Sequence, residues 1–193
     1  MKVTKCLLNK KEPTAGKNAG PKIWHYTIWP NLLSILDEKE IKPLTLFSRL
    51  PEEMPSAWFS IHPDWELTVR KSIPDPVSGE MVGPLGRKAL VRMGCPVARI
   101  QVDPELPFGS WTRYSPLSGL PKYVKRKIKN QAKRFGARRG DWRVLFAPVS
   151  SENWMAVEVY QDKNWIDLED FLQDAEPELT REAKKALAGV WAV

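Results

Sequence analysis

The stretch that decides the reading of this chain is "KIWHYTIWPNLLSILDEKEIKP", Lys22 to Pro43. Its first part, Ile23 to Ile28, is β-branched and aromatic, the composition of a half-buried strand. Alternation puts Trp24, Tyr26 and Ile28 on one face and Ile23, His25 and Thr27 on the other. Pro30 then fits the first turn of a helix, where its missing N–H costs nothing. Leu32, Ile35 and Leu36 recur at the i, i+3, i+4 spacing of a core-facing stripe. A strand, a tight turn and a short helix are predicted, with a lone histidine at mid-strand.

Outward from this unit, "IKPLTL" predicts a short extended segment and "PSAWFSI" a second strong strand. "HPDWELTVRK" predicts a helix, with Pro63 at its first position and Asp64 and Glu66 favourable to the dipole. The Pro/Gly-rich span from Ser72 to Gly86 reads as an exposed loop. "ALVRM" and "VARIQVD" read as strands, the second alternating Val97, Arg99 and Gln101 with Ala98, Ile100 and Val102. In "PKYVKRKIKNQAKRFGARRG", Val124, Ile128, Ala132 and Phe135 make one narrow apolar stripe, and Gly136 closes the helix. "DWRVLFAPV" and "NWMAVEVY" predict two late strands, paired as a hairpin across "SSE". "TREAKKALAGV" predicts a C-terminal helix capped by Thr180. Strands early and late, helices between and no regular βαβ alternation predict an α+β domain. We read residues 1–21 as a mobile basic arm and residues 22–193 as one such domain, since 193 residues leave little room for two independent cores.

Charge is unevenly placed. Residues 1–22 carry six Lys/Arg against one acid and residues 122–143 carry ten against one, whereas residues 144–193 carry four against ten. A local basic segment is the signature of a surface that meets phosphates, rather than of a uniformly cationic shell. The chain has nine tryptophans, many for its length, and some are expected to line a site. Cys6 and Cys95 have no C-x-x-C spacing, so neither a disulfide scaffold nor a cysteine zinc site is indicated. No apolar run approaches the roughly 20 residues that span a bilayer. No membrane partner and a cytoplasmic location are therefore expected, with oligomeric state left open.

The motif inventory narrows the chemistry. No Gly-rich phosphate loop of either standard spacing is present, and no G-x-S-x-G elbow precedes a helix. With only His25 and His62 and no H-E-x-x-H, no metal is expected.

The order His25, Thr27, Asn31, Leu32, Ile35, Leu36 resembles the first motif of the ADP-ribosyltransferase fold, an "H-x-T" strand followed by an "N-L-x-x-I-L" helix. The resemblance is nearest to the DarT-type DNA ADP-ribosyltransferases and more distant to RNA 2′-phosphotransferases. It covers residues 22–70, and the strand of Glu158 by position only. What it implies is a mixed sheet split around an NAD cleft with flanking helices. His25, Tyr26 and Thr27 would position the adenosine-side ribose, and Ser60 with Trp58 or Phe59 would hold the nicotinamide end. The family's tyrosine and its full Ser-Thr-Ser are absent there. A late-strand glutamate, Glu158 here with Glu152 second, would bind the nicotinamide-ribose 2′-hydroxyl. Such a carboxylate stabilises the oxocarbenium character that develops at C1′ as nicotinamide leaves. On this reading His25 and Glu158 are the catalytic pair, NAD is the substrate, and a toxin, phage or defence role follows by analogy alone.

Two other readings stand beside it. One keeps the cleft for metal-free RNA chemistry, 2′-phosphate transfer or cleavage, with His25 or His62 and Glu158 as acid and base. The other is a non-catalytic nucleic-acid-binding module. In it Lys125, Arg126, Lys129 and Lys133 on the basic helix, with Arg138 and Arg139 beyond it, track a phosphate backbone, and Tyr123 and Trp142 offer stacking surfaces.

Overall fold

In the computed structural model, which describes residues 20–46, 50, 52–75 and 77–174, the opening stretch forms strand β1 (Ile23–Ile28) and, without a break, helix α1 (Trp29–Glu38). Pro30 lies in the first turn of α1, and Lys39 ends the helix in the left-handed region at φ 56°. There follow β2 (Glu40–Ile41), β3 (Ala57–Ser60), β4 (Lys71–Pro74), β5 (Met81–Leu85), α2 (Arg87–Arg92) and β6 (Val97–Val102). The second half runs α3 (Trp111–Leu117), α4 (Lys122–Phe135), β7 (Trp142–Leu145), β8 (Val149–Ser150), β9 (Trp154–Gln161), β10 (Asn164–Asp167) and α5 (Leu168–Asp174).

Six strands make one sheet in the order β10-β9-β6-β1-β3-β7, antiparallel at every pairing, so the α+β class stands but the sheet is not mixed. β1 pairs with β6 along its whole length, from Ile23↔Val102 to Ile28↔Val97. With β3 it shares a single pair, Trp24↔Ser60. The alternation expected for β1 and β6 sorts their side chains correctly. Ile23, Phe59, Ala98, Ile100, Val157 and Val159 face one way and bury Leu32 and Leu36 of α1 with Phe171 and Leu172 of α5. On the opposite face Trp24, Tyr26, Ile28 and Val97 pack against Trp65, Ile73 and Leu90. At the β7 end of that second face, Trp111, Tyr114, Leu120, Val124, Ala132, Trp142 and Val144 seat α3 and α4.

Four expectations are corrected. The expected helix over residues 62–71 does not form: Pro63 and Glu66 sit in an irregular segment, and the 72–86 span, expected as an exposed loop, holds most of the hairpin β4–β5. Asp75 accepts the N–H groups of Val77 and Ser78 at 2.9 and 2.8 Å and so shapes that hairpin's turn. "ALVRM" forms the end of α2 and its C-cap, Met93, in a helix that buries only Leu90, so the run is too short for its period to separate helix from strand. β7 and β9 do not form a hairpin; β9 pairs with β10 across a turn in which Asp162 and Lys163 both have positive φ. The predicted helix at Thr180 and residues 1–19 of the basic arm lie outside the described residues. No helix among the described residues is long and apolar enough to cross a membrane.

Candidate functional site

Strand register decides which predicted residues share a site. His25 aligns with Ile100 and then Val157, on the face covered by α1 and α5. Tyr26 aligns with Arg99, then Glu158, then Asp167, on the opposite face. His25 and Glu158 are thus two strands apart on opposite faces, and the sheet does not bring them together. Thr27 and Phe59 share the His25 face; Trp58 and Ser60 share that of Tyr26 and Glu158.

His25 occupies the seam where β1 and β3 part. Its Nδ1 lies 3.0 Å from the Trp58 carbonyl, and its ring meets Phe59 edge-on at 5.6 Å. Burial, with the nearby Lys71 ammonium adding to it, pushes the imidazole down to about 4, so the ring is neutral at pH 7. Nδ1–H then donates to the carbonyl. Thr27 is buried beside it, and its Oγ1 has no hydrogen-bond partner among the described residues.

On the opposite face Glu158 is already engaged. Its Oε2 accepts from Arg99 Nε and Nη2, both at 2.6 Å, and Arg99 Nη1 donates to the Pro63 carbonyl. The guanidinium is stacked between Trp24, at 3.8 Å from the ring centroid, and Trp165, at 4.3 Å. A buried cation needs such a setting, because neither its charge nor its N–H groups meet water there. Asp64 extends the network by pairing with Arg87, 2.7 Å at Nη2, and accepting from the Trp165 indole N–H at 3.1 Å. The Arg87 pairing, more than any other contact, holds the Asp64 carboxyl below its usual range.

Beside it, Ser60 Oγ donates to buried Glu66 at 3.0 Å, and the same carboxylate accepts from Thr68 Oγ1 at 3.0 Å. Tyr26 donates its hydroxyl proton to the His62 carbonyl, while His62 N–H donates to Ser60 Oγ at 3.0 Å. Burial pushes the Tyr26 phenol up. These bonds bind residues 61–68 to the sheet and explain why the expected helix does not form: side chains take the groups that helical hydrogen bonds would use. Glu152, the second-choice carboxylate, is exposed in a turn where its own N–H donates to Ser150 Oγ.

Sequence reasoning missed Arg99, Asp64, Glu66, Arg87 and Trp165. One signal was available: "VARIQV" and "MAVEVY" each carry a single charge in an apolar strand, of opposite sign, as expected of cross-strand partners.

The basic segment is arranged differently. α4 inserts Val124 and Ala132 into the cluster around Trp142, with Ile128 packed alongside, and closes at Gly136, φ 72°. Lys122, Arg126, Lys127, Lys129, Lys133 and Arg134 are exposed and Lys125 is half-buried. Not one of these makes an ion pair among the described residues; beyond the helix, only Arg138 does, with Asp141 at 3.3 Å. Arg139 is exposed in the turn that follows. No Asp or Glu occurs anywhere from Leu106 to Gly140. Of the two expected stacking rings, Trp142 is 3% exposed and belongs to the core, whereas Tyr123 is 63% exposed.

No family model, curated protein or solved structure matches this chain. The functional reading therefore rests on the chain's own chemistry.

Proposed function

We propose that this protein binds nucleic acid through the solvent face of α4 and the Arg138–Arg139 turn. The observation that carries the reading is a helix whose exposed cations have no carboxylate partner among the described residues, in a stretch that contains no acidic residue. Unpaired like charges repel one another along a helix, so this surface gains most when a polyanion arrives and releases its counterions. The apolar stripe of α4 is already used in packing against Trp142, so the helix keeps no greasy face with which to enter a bilayer or a partner's groove.

Fluorescence anisotropy with a labelled oligonucleotide at several salt concentrations tests this. Affinity should fall steeply with salt, and Arg126→Glu with Lys129→Glu and Lys133→Glu should lower it at least 100-fold. Unchanged affinity in that triple variant would remove the proposal.

A second reading, NAD-dependent ADP-ribosyl transfer to such an acceptor, is favoured by one feature: β1 and β3 part after the Trp24↔Ser60 pair, and neutral His25 lies in that seam. In this reading Glu158 is held by Arg99, and the carboxylate bonded to Ser60 is Glu66. Nicotinamide release from NAD, compared among wild type, His25→Ala, Glu66→Gln and Glu158→Gln, tests it. Release that is lost in Glu66→Gln and kept in Glu158→Gln supports this arrangement, and no release by the wild type removes it.

A further inference from the structure

Tyr123 is the one aromatic side chain among the described residues more than half exposed, and it stands on the cationic face of α4. A phenol ring left in water forfeits the burial that every tryptophan of the core obtains. One helical turn on, at i+3 and i+4, are Arg126 and Lys127, and at i+11 on the same side is Arg134, all exposed. The ring is therefore flanked by exposed cationic groups and makes no ring or cation contact among the described residues.

Resting on the nucleic-acid reading above, we infer that Tyr123 is a base-stacking platform and that the partner of α4 is a single-stranded polynucleotide. Phosphates are equally available on duplexes and single strands, so the cations alone do not distinguish them. An exposed ring does, because base faces are open only where the strand is unpaired. Lys122, Arg126, Lys129 and Lys133 form a second row beside the ring, along about 16 Å of helix. In this arrangement the backbone runs along the row while a base turns onto Tyr123. Stacking needs only a π-face, so the site reads no particular base, and DNA and RNA both fit.

The test compares one labelled 15-nucleotide sequence as single-stranded DNA, as single-stranded RNA and as a DNA duplex, bound to wild type, Tyr123→Ala and Tyr123→Phe. Single strands should bind more tightly than the duplex. Tyr123→Ala should weaken single-strand binding about tenfold and leave the slope of log affinity against log salt unchanged, since no phosphate contact is lost. Tyr123→Phe should bind like wild type, and duplex binding should not respond to either change. An effect confined to DNA or to RNA still upholds the platform and assigns the sugar it accepts. Duplex binding as tight as single-strand binding, or a Tyr123→Ala variant that binds single strands like wild type, overturns the inference and leaves the α4 reading intact. Failure of the wild type to bind any of the three removes both.

Discussion

Arg99 and Arg126 carry the same group into opposite circumstances. Arg99 lies between two indole rings, is bonded to a carboxylate and a carbonyl, and sits on a sheet face roofed by residues 61–66. Arg126 is exposed among other cations and has no ion pair among the described residues. A guanidinium whose every partner is supplied from within holds the fold together, whereas one that lacks them leaves its interaction for another molecule. The contrast separates a cation whose partners are internal from one that has none among the described residues, and Glu158 belongs to the first setting as the partner of Arg99.

Breaking the sealed cation should have the largest effect on the molecule. Glu158→Gln leaves the Arg99 charge buried and uncompensated, and we expect a loss of about 3–5 kcal/mol in urea denaturation, with no effect on the salt dependence of nucleic-acid binding. A loss below about 0.5 kcal/mol would mean that the two indole rings alone hold the guanidinium and that the contrast is overstated.

The seam provides the next effect, through pH. His25 has its imidazole lowered to about 4 in the folded chain against 6.5 in the unfolded one, so the unfolded state binds the extra proton between those values. Stability from this group is fully present above pH 6.5 and is lost as pH falls toward 4, by about 3 kcal/mol. Denaturation midpoints at pH 7 and pH 4 should differ less in His25→Gln than in wild type. Equal pH dependence in the two would show that the ring is not held neutral.

The exposed cations come third. Charge reversal at Arg126, Lys129 and Lys133 should leave the thermal midpoint within a degree or two of wild type, since surface changes rarely exceed about 0.5 kcal/mol, even as binding is lost. If the midpoint collapses instead, the face of α4 is part of the protein's own packing. Last is Gly136→Ala, which touches neither the sealed cation nor the binding face. The glycine's left-handed φ of 72° disfavours a side chain, yet the added Cβ comes no nearer than 3.9 Å to Leu67. About 1 kcal/mol of stability should be lost, measurable by thermal melting.

These contrasts also mark what could be read from sequence. The faces of β1 and β6 were legible because a strand's period of two survives burial on both sides when charge and ring size differ between them. α4 was legible because its apolar residues recur at four, four and three and a glycine follows. Residues 62–70 were misread because the same Pro63 and Asp64 that suit a helix start also suit a side-chain-bonded turn. What chose between them was Tyr26 and Arg99, two residues distant in sequence that claim the carbonyls of His62 and Pro63. The pairing of Arg99 with Glu158 depends on a register set between strands 59 residues apart. Each charge was visible alone; their adjacency was not.

The single β1–β3 pair has a consequence for motion. β10, β9, β6 and β1 are laddered continuously, as are β3 and β7, and the two blocks share Trp24↔Ser60 and the His25 bond to the Trp58 carbonyl. Such a boundary is where native proteins open sub-globally. Amide hydrogen exchange should therefore divide this sheet in two, with β1 and β6 exchanging as one slow unit and β3 and β7 as a faster one. Acid that protonates His25 should widen the difference, because the ring that bonds one block to the other must then accept a charge.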